Sequence, residues 1–191
     1  MFEVITPTHP RRKAVEATIR LAYQCDHGAR LTGFPTWLVA NTDETGVIGA
    51  AALRFAADGF FSELYLDKPI EQTITRWAGG TVDRTQLVEV ANLAAGRSGE
   101  IKVLIQGIIA LLYSQDTRWA FFTATARLRN LLRRAGIPLI DLGSADPRRI
   151  DDAASWGSYY QQDPRVVLVG QHMLVGSLQP ISAAAERRRH A

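Results

Sequence analysis

Hydrophobic residues recur at two spacings along the chain, and each spacing predicts a different kind of element. The apolar segment Phe2–Ile5 is predicted to be a short strand. Val15, Ile19 and Ala22 share one helical face, which predicts a helix over residues 11–23. The chain is therefore expected to begin with a strand followed by a helix.

A hairpin is predicted next, because two apolar segments at 36–41 and 47–55 flank a short polar turn. Gly46 supplies the positive φ that such a turn needs. A less regular block follows at 62–67. Residues 69–77 are predicted to form a short helix, since they begin with a proline, which suits a first helical turn.

Strands and helices alternate in the second half of the chain. Strands are predicted at 87–94, 119–126, 138–142 and 166–169, helices at 100–113, 127–135 and around Pro147, and a strand extension at 173–175. The order strand, glycine-containing loop, helix, strand predicts a crossover between parallel neighbours, whereas the hairpin predicts antiparallel pairing. We expect one α/β domain over 1–180, a mixed central sheet flanked by helices on both faces.

Composition excludes several classes of protein. The 191 residues are 47% hydrophobic and 21% charged, which is typical of a globular chain. Cys25 is the only cysteine, and the four histidines show no zinc-ligand spacing. A disulfide-rich fold and a structural zinc domain are therefore excluded, and no metal is expected.

Charge and hydropathy narrow the choice of partners. The net charge of +3, with a sequence pI of about 9.3, is too mild for a dedicated DNA-binding protein. Part of it lies in residues 181–191, a basic tail predicted to be disordered. No targeting segment is visible, and the most apolar stretch, 103–113, is too short to span a bilayer. We expect a cytoplasmic protein without membrane insertion.

Four segments carry a family resemblance: residues 62–71, 87–94, 121–125 and 156–160. The motifs Glu-Val-x-Asn-Leu-Ala and Trp-Gly-x-Tyr-Tyr are its specific parts. The series resembles the bacterial thermostable hemolysin family, which is similar to GNAT enzymes and to acyl-homoserine-lactone autoinducer synthases. The resemblance covers about residues 31–170 and implies a GNAT-like acyltransferase fold.

Glu89 is the candidate general base. It is flanked by valines on a central strand, where burial would raise its pKa toward neutrality. In GNAT-type enzymes an acid on this strand often orders the water that deprotonates the amine acceptor. The structural alternative is an ion pair between Glu89 and an arginine such as Arg127.

Asn92 and a tyrosine complete the candidate catalytic set. Side chains alternate along a strand, so Asn92 would share a cleft with Glu89 only if the strand were bulged, as GNAT strands commonly are here. Asn92 would then hold the substrate or donate toward the thioester oxygen, unless it only satisfies loop backbone. Tyr160 is the candidate acid for the leaving thiolate, with Tyr65 and Tyr159 as rivals; each could equally be a packing residue.

The donor site is expected where the strand at 87–94 turns into the next helix. Small residues before a helix N-terminus let backbone N–H groups bind an anion, which in GNAT enzymes is the pyrophosphate of coenzyme A. The candidate cofactor-binding residues are Leu93, Ala94, Ala95, Gly96, Arg97, Ser98, Gly99 and Thr125. The glycine pattern is one residue short, and Glu100 is negative. Acyl-CoA and a phosphopantetheine thioester on an acyl carrier protein therefore both remain open as co-substrates, and no tightly bound cofactor is expected.

Glu63, Tyr65 and Thr123 are the candidate substrate-binding residues. Glu63 and Tyr65 alternate with Leu64 and Leu66, which predicts that the two pairs face opposite sides. Apolar residues nearby, Leu64, Ile70, Ile74 and Trp77, are candidates for an acyl or acceptor pocket.

Three functions follow from these features. The first is transfer of an acyl group from a thioester donor to a small-molecule amine, in signal or specialised-metabolite biosynthesis; a tRNA-linked donor and a homodimer stay open. The second is a membrane-active haemolysin, as the family name suggests. The third is a catalytically silent GNAT-like binding module.

Overall fold

One seven-stranded sheet organises the residues that the computed structural model describes, which are 1–95 and 98–174. The strands are β1 (Phe2–Ile5), β2 (Trp37–Asp43), β3 (Gly46–Arg54), β4 (Leu87–Ala95), β5 (Trp119–Ala124), β6 (Ile140–Ser144) and β7 (Arg165–Gly170). Their order in the sheet is β1-β2-β3-β4-β5-β7-β6. β4 and β5 pair in parallel, and every other pair of adjacent strands in this sheet is antiparallel. The predicted mixed sheet is confirmed.

The helices follow the predicted order with shifted ends. They are α1 (Arg12–His27), α2 (Ile70–Thr73), α3 (Thr75–Ala78), α4 (Ser98–Ser114) and α5 (Ala126–Arg134). α1 runs about one turn further than predicted, to His27. Gly28 follows it with a φ of 68°, a left-handed conformation that caps the helix. The helix predicted at 69–77 is two short helices.

Helices cover both faces of the sheet. On β3, Ala50 and Ala52 pack with α1, whereas Ala51 and Leu53 pack with Leu104 of α4. Successive strand residues point to opposite faces, so α1 and α4 lie on opposite sides. α5 packs beside α4, and the irregular segments before β4 and before β7 cover the α1 side. This confirms the predicted α/β architecture.

Two local predictions were wrong. Residues 171–174 form a 3₁₀ turn rather than a strand extension, and Val175 lies outside the described residues, as does the tail at 181–191. Ser62–Tyr65 is also a 3₁₀ turn. A 3₁₀ turn has three residues per turn, so its side chains do not alternate between two faces as those of a strand do. Leu64 is 53% exposed, whereas Tyr65 is buried.

Across residues 1–95 and 98–174, no helix combines the length and apolar character needed to traverse a bilayer.

Candidate active site between β4 and β5

The two parallel strands at the centre of the sheet separate after three residue pairs. Leu87–Glu89 of β4 pair with Trp119–Phe121 of β5, and beyond Glu89 the two strands form no further pairs. Both strands continue, β4 to Ala95 and β5 to Ala124. The opening between them is the kind of gap into which an extended ligand can insert.

A bulge in β4 accompanies this separation. Ala50 pairs with Ala94 and Ala52 pairs with Ala91, so β4 has an extra residue opposite β3. Asn92 has a φ of 51°, a left-handed conformation that is uncommon outside glycine. The bulge expected from the resemblance is present. As a result, Asn92 and Glu89 line the same cavity.

Two cavities adjoin this opening. The first, here called the core cavity, has a volume of about 340 Å³ and lies between β4, β5, α4 and α5. The walls that α4 and α5 contribute are mostly apolar and include Ile101, Ile105, Ile109, Leu128, Leu131 and Leu132. The second, the front cavity, has a volume of about 560 Å³ and a more polar wall. Tyr23, Val90, Asn92, Thr123 and Tyr159 line both cavities.

Glu89 is 1% exposed and lies at the front cavity. The backbone N–H of Phe61 donates to Oε2 at 2.6 Å, and the backbone N–H of Ser62 donates to Oε1 at 2.9 Å. The Ser62 hydroxyl donates to Oε1 at 2.6 Å. Burial raises the pKa of Glu89, opposed by these hydrogen bonds and by the charge of Arg54.

The expected alternative partner, Arg127, does not hold this carboxylate. The hydrogen bonds to Glu89 come from residues 61–62, and Arg127 lines the core cavity. Glu89 is therefore a buried carboxylate held by neutral donors, with a raised pKa, which suits proton transfer.

Two hydroxyls connect Glu89 to the wall shared by the cavities. The Ser62 and Thr123 hydroxyl oxygens lie 2.8 Å apart. The single proton of Ser62 is donated to Glu89, so the Thr123 hydroxyl donates to Ser62. Thr123 was predicted as a site residue and Ser62 was not, because a serine in an irregular segment carries no local signal of its contacts.

The structure separates the three candidate tyrosines. The Tyr65 and Tyr160 hydroxyls lie 2.6 Å apart, and burial raises the pKa of both. Tyr65 lines the front cavity, whereas Tyr160 lines neither cavity. Tyr159 lines both, and its hydroxyl donates to the Thr123 carbonyl at 3.3 Å. The acid role of Tyr160 stays a prediction, and Tyr159 is the better placed rival.

The predicted donor-binding residues lie partly at the core cavity. Leu93, Ala94, Ala95 and Thr125 line it. The Thr125 side chain also accepts a hydrogen bond from the Leu128 N–H and thereby caps α5. Gly96 and Arg97 lie outside the described residues, and Ser98 and Gly99 begin α4.

Glu63 is not brought to either cavity. Its carboxylate accepts two hydrogen bonds from Arg84, each 2.7 Å long, and one from the Ile70 N–H at 2.8 Å. Arg84 lowers the pKa of Glu63. Ile70 and Ile74, expected in a substrate pocket, are fully buried in the core instead. The charged partner explains the placement, because Arg84 satisfies both carboxylate oxygens.

Arg54 is a further residue that sequence reasoning missed. It lies directly opposite Glu89 in the β3–β4 pairing and lines the front cavity. Its Nε is buried and has no hydrogen-bond partner. In the part of the chain that the structure describes, no cluster of His, Cys, Asp or Glu could hold a metal ion.

Solved structures share this architecture. The acyl-homoserine-lactone synthase LasI matches with a TM-score of 0.64 at 10% identity, over 94% of this chain and 96% of that one. FeeM, an N-acyl amino acid synthase from uncultured soil microbes, matches with a TM-score of 0.59 at 10% identity, covering 90% and 93%. BjaI, a CoA-dependent acyl-homoserine-lactone synthase solved with SAM and isopentyl-CoA, matches with a TM-score of 0.58 at 12% identity, covering 93% and 87%. These similarities establish the GNAT-like fold found in acyltransferases.

A family model named thermostable hemolysin matches residues 5–173. The chain therefore belongs to the thermostable hemolysin family, as the sequence resemblance indicated. No curated protein matches the sequence.

Proposed function

We propose that the chain is an N-acyltransferase that moves an acyl group from a thioester to an amine. The observation that carries this proposal is the position of Glu89, a buried carboxylate with a raised pKa at the point where β4 and β5 separate. An apolar cavity lies on one side of that opening and a polar cavity on the other. This arrangement suits a reaction between an apolar acyl group and a polar nucleophile.

The core cavity is the proposed site of the acyl chain. Its isoleucine and leucine walls favour a hydrocarbon, and small residues of β4 allow a thioester arm to approach the backbone. Coenzyme A or a carrier protein would supply that arm as a co-substrate. The description of BjaI as a CoA-dependent synthase supports coenzyme A as the first donor to test.

The amine acceptor is proposed to enter the front cavity. Its nitrogen attacks the thioester carbon, a C–N bond forms, and the C–S bond breaks. The amine proton passes to the Thr123 hydroxyl, whose own proton moves through Ser62 to Glu89. The leaving thiolate takes up a proton, for which Tyr159, at the wall shared by the cavities, is the candidate donor. Asn92 would hydrogen-bond the thioester oxygen.

The test combines binding with turnover. Purified protein is mixed with acyl-CoA and acyl-carrier-protein thioesters of increasing chain length and a panel of amines, and amide products are detected by mass spectrometry. A donor at 100 times its Kd stabilises the folded state by about 2.7 kcal/mol, so its melting temperature should rise by about 5–10 °C. Neither product nor shift with any donor would support the silent binding module instead. Leakage of liposomes without any substrate would support the haemolysin alternative.

Ile105→Trp should shorten the acyl chain that the enzyme accepts. Ile105 lines the core cavity from α4, and an indole there would occupy the space of several methylenes. We expect kcat/KM for a dodecanoyl thioester to fall about tenfold or more, since each buried methylene contributes about 0.8 kcal/mol, while a butanoyl thioester reacts nearly as before.

Val103→Trp is the matched control, because Val103 lies on the same helix but is 52% exposed and lines neither cavity. Equal loss with both thioesters in Ile105→Trp, or the same selectivity change in Val103→Trp, would contradict the assignment of the core cavity.

A further inference from the structure

Arg54 lies in a wall of the front cavity, where its charge acts on Glu89 but its guanidinium has no hydrogen-bond partner among the described residues. No described residue forms a hydrogen bond or an ion pair with its guanidinium, and its Nε is buried. Two other partly or fully buried arginines have hydrogen-bond acceptors for their guanidinium groups. Arg84 binds Glu63 and Glu71, and Arg129 binds Asp163 and two carbonyl oxygens. Arg54 is therefore available for a ligand in a way that these residues are not.

A ligand that accepts from Arg54 would remove an energetic penalty. A guanidinium remains charged at all physiological pH values, and a buried donor without an acceptor costs about 1–3 kcal/mol. Glu89, its cross-strand neighbour, is already held by three hydrogen bonds from residues 61–62. An anionic ligand would supply an acceptor for the guanidinium, and a carboxylate matches its planar fork best.

The position of Arg54 limits which anion fits. Arg54 lies directly opposite Glu89 on the neighbouring strand. Ser62, Glu89 and Thr123 line the same cavity as Arg54, so a group bound by Arg54 would share that cavity with the proposed proton path. A phosphate monoester would place up to two negative charges in the cavity that holds the Glu89 carboxylate. An α-amino acid places only one there, and its amine is one carbon away from its carboxylate. Tyr23, Phe61 and Trp156 also line this cavity and provide an aromatic wall for a side chain.

We propose that the acceptor is an α-amino acid, or the amino acid end of a larger molecule, and that Arg54 binds its carboxylate. This inference rests on the proposed N-acyltransferase function and names its acceptor class. With the carboxylate on Arg54, the amine faces Thr123 and the thioester carbon in the opening between β4 and β5. The product is an N-acyl amino acid.

Matched substrates test this assignment. Tyrosine and leucine are compared with tyramine and 3-methylbutylamine, which lack only the carboxylate, and S-adenosylmethionine serves as the larger amino-acid-containing probe. In the wild-type protein the amino acids should have KM values about tenfold or more below those of the amines. Arg54→Gln should remove this difference by raising KM for the amino acids alone, and Arg54→Lys should restore part of it. Arg148→Gln is the charge-matched control, because Arg148 is exposed and forms an ion pair with Asp146, away from both cavities.

Binding without turnover separates this inference from the proposed function. Calorimetric titration of amino acids into the protein alone needs no donor. Amino acid binding that Arg54→Gln abolishes supports the inference even if no acyl transfer is found. Amines accepted as readily as amino acids by the wild type, or equal losses for both classes in Arg54→Gln, would overturn it, because Arg54 would then act only on Glu89.

Discussion

Glu89→Gln is expected to lower kcat for acyl transfer by about 10²–10⁴-fold, the range by which a positioned general base accelerates a reaction. The amide keeps the size of the side chain and cannot take up a proton. The wild-type rate should fall as the pH drops through the raised pKa of Glu89, because the protonated carboxyl is no longer a base. The variant should lose this acidic limb. Initial rates with acyl-CoA and a fixed amine, measured across pH, check both expectations.

Glu71→Gln is the control for this substitution, because Glu71 pairs with Arg84 and lines neither cavity. Its rate and pH profile should match those of the wild type. A near-wild-type rate in Glu89→Gln would show that the proton goes elsewhere.

Glu89→Gln should also change the stability of the fold in a pH-dependent way. The folded-state pKa of Glu89 is raised above its unfolded value of 4.5. The group therefore favours folding below the unfolded pKa, and this contribution is lost as the pH rises through the folded pKa. The glutamine carries no such penalty at higher pH, although its NH2 group cannot accept the hydrogen bond that a carboxylate oxygen accepts from the Phe61 N–H. The melting temperature of the variant relative to the wild type should therefore rise as the pH increases from the unfolded pKa of 4.5 through the raised folded pKa, which scanning calorimetry measures. A constant difference would contradict the burial of a charged Glu89.

The architecture was predictable because it depends on local patterns. Val15 and Ile19 are both fully buried on the inner face of α1, as their helical spacing indicated. The valines around Glu89 marked β4 as a central strand, and the glycine-containing loop after it marked the parallel crossover. The bulge at Asn92 was different. In a regular strand Glu89 and Asn92 would point to opposite faces, and only the family resemblance predicted the bulge that brings them to one cavity.

The connections within the site could not be read in the same way, because its partners are distant in sequence. Ser62 lies 27 residues from Glu89 and 61 residues from Thr123, so no local period links them. Glu63, the next residue along, looked equally able to bind a substrate. Packing decides between the two, since one turn of 3₁₀ helix directs Ser62 to Glu89 and Glu63 to Arg84.

Thr123→Val is expected to lower kcat by about 10²-fold with little change in KM. The valine keeps the branched shape of the side chain but removes the hydroxyl that donates to Ser62, so the proton path to Glu89 is broken. Thr123→Ser keeps the hydroxyl and should stay within a few-fold of the wild-type rate. Steady-state kinetics with saturating donor check the pair. If Thr123→Val instead raises KM and leaves kcat unchanged, Thr123 binds substrate, as its sequence position predicts, and carries no proton.

Ser62→Ala tests the other half of the path and has a signature of its own. The Ser62 hydroxyl lowers the pKa of Glu89, so its loss should move the acidic limb of the rate profile to higher pH as well as lower kcat. Thr123→Val does not touch the carboxylate and should leave the midpoint in place. Two variants that both slow the reaction, of which only Ser62→Ala shifts the midpoint, would identify the Thr123 and Ser62 hydroxyls as successive steps toward one buried base. A shift in both would mean that Thr123 acts through the electrostatics of Glu89 rather than as a proton carrier.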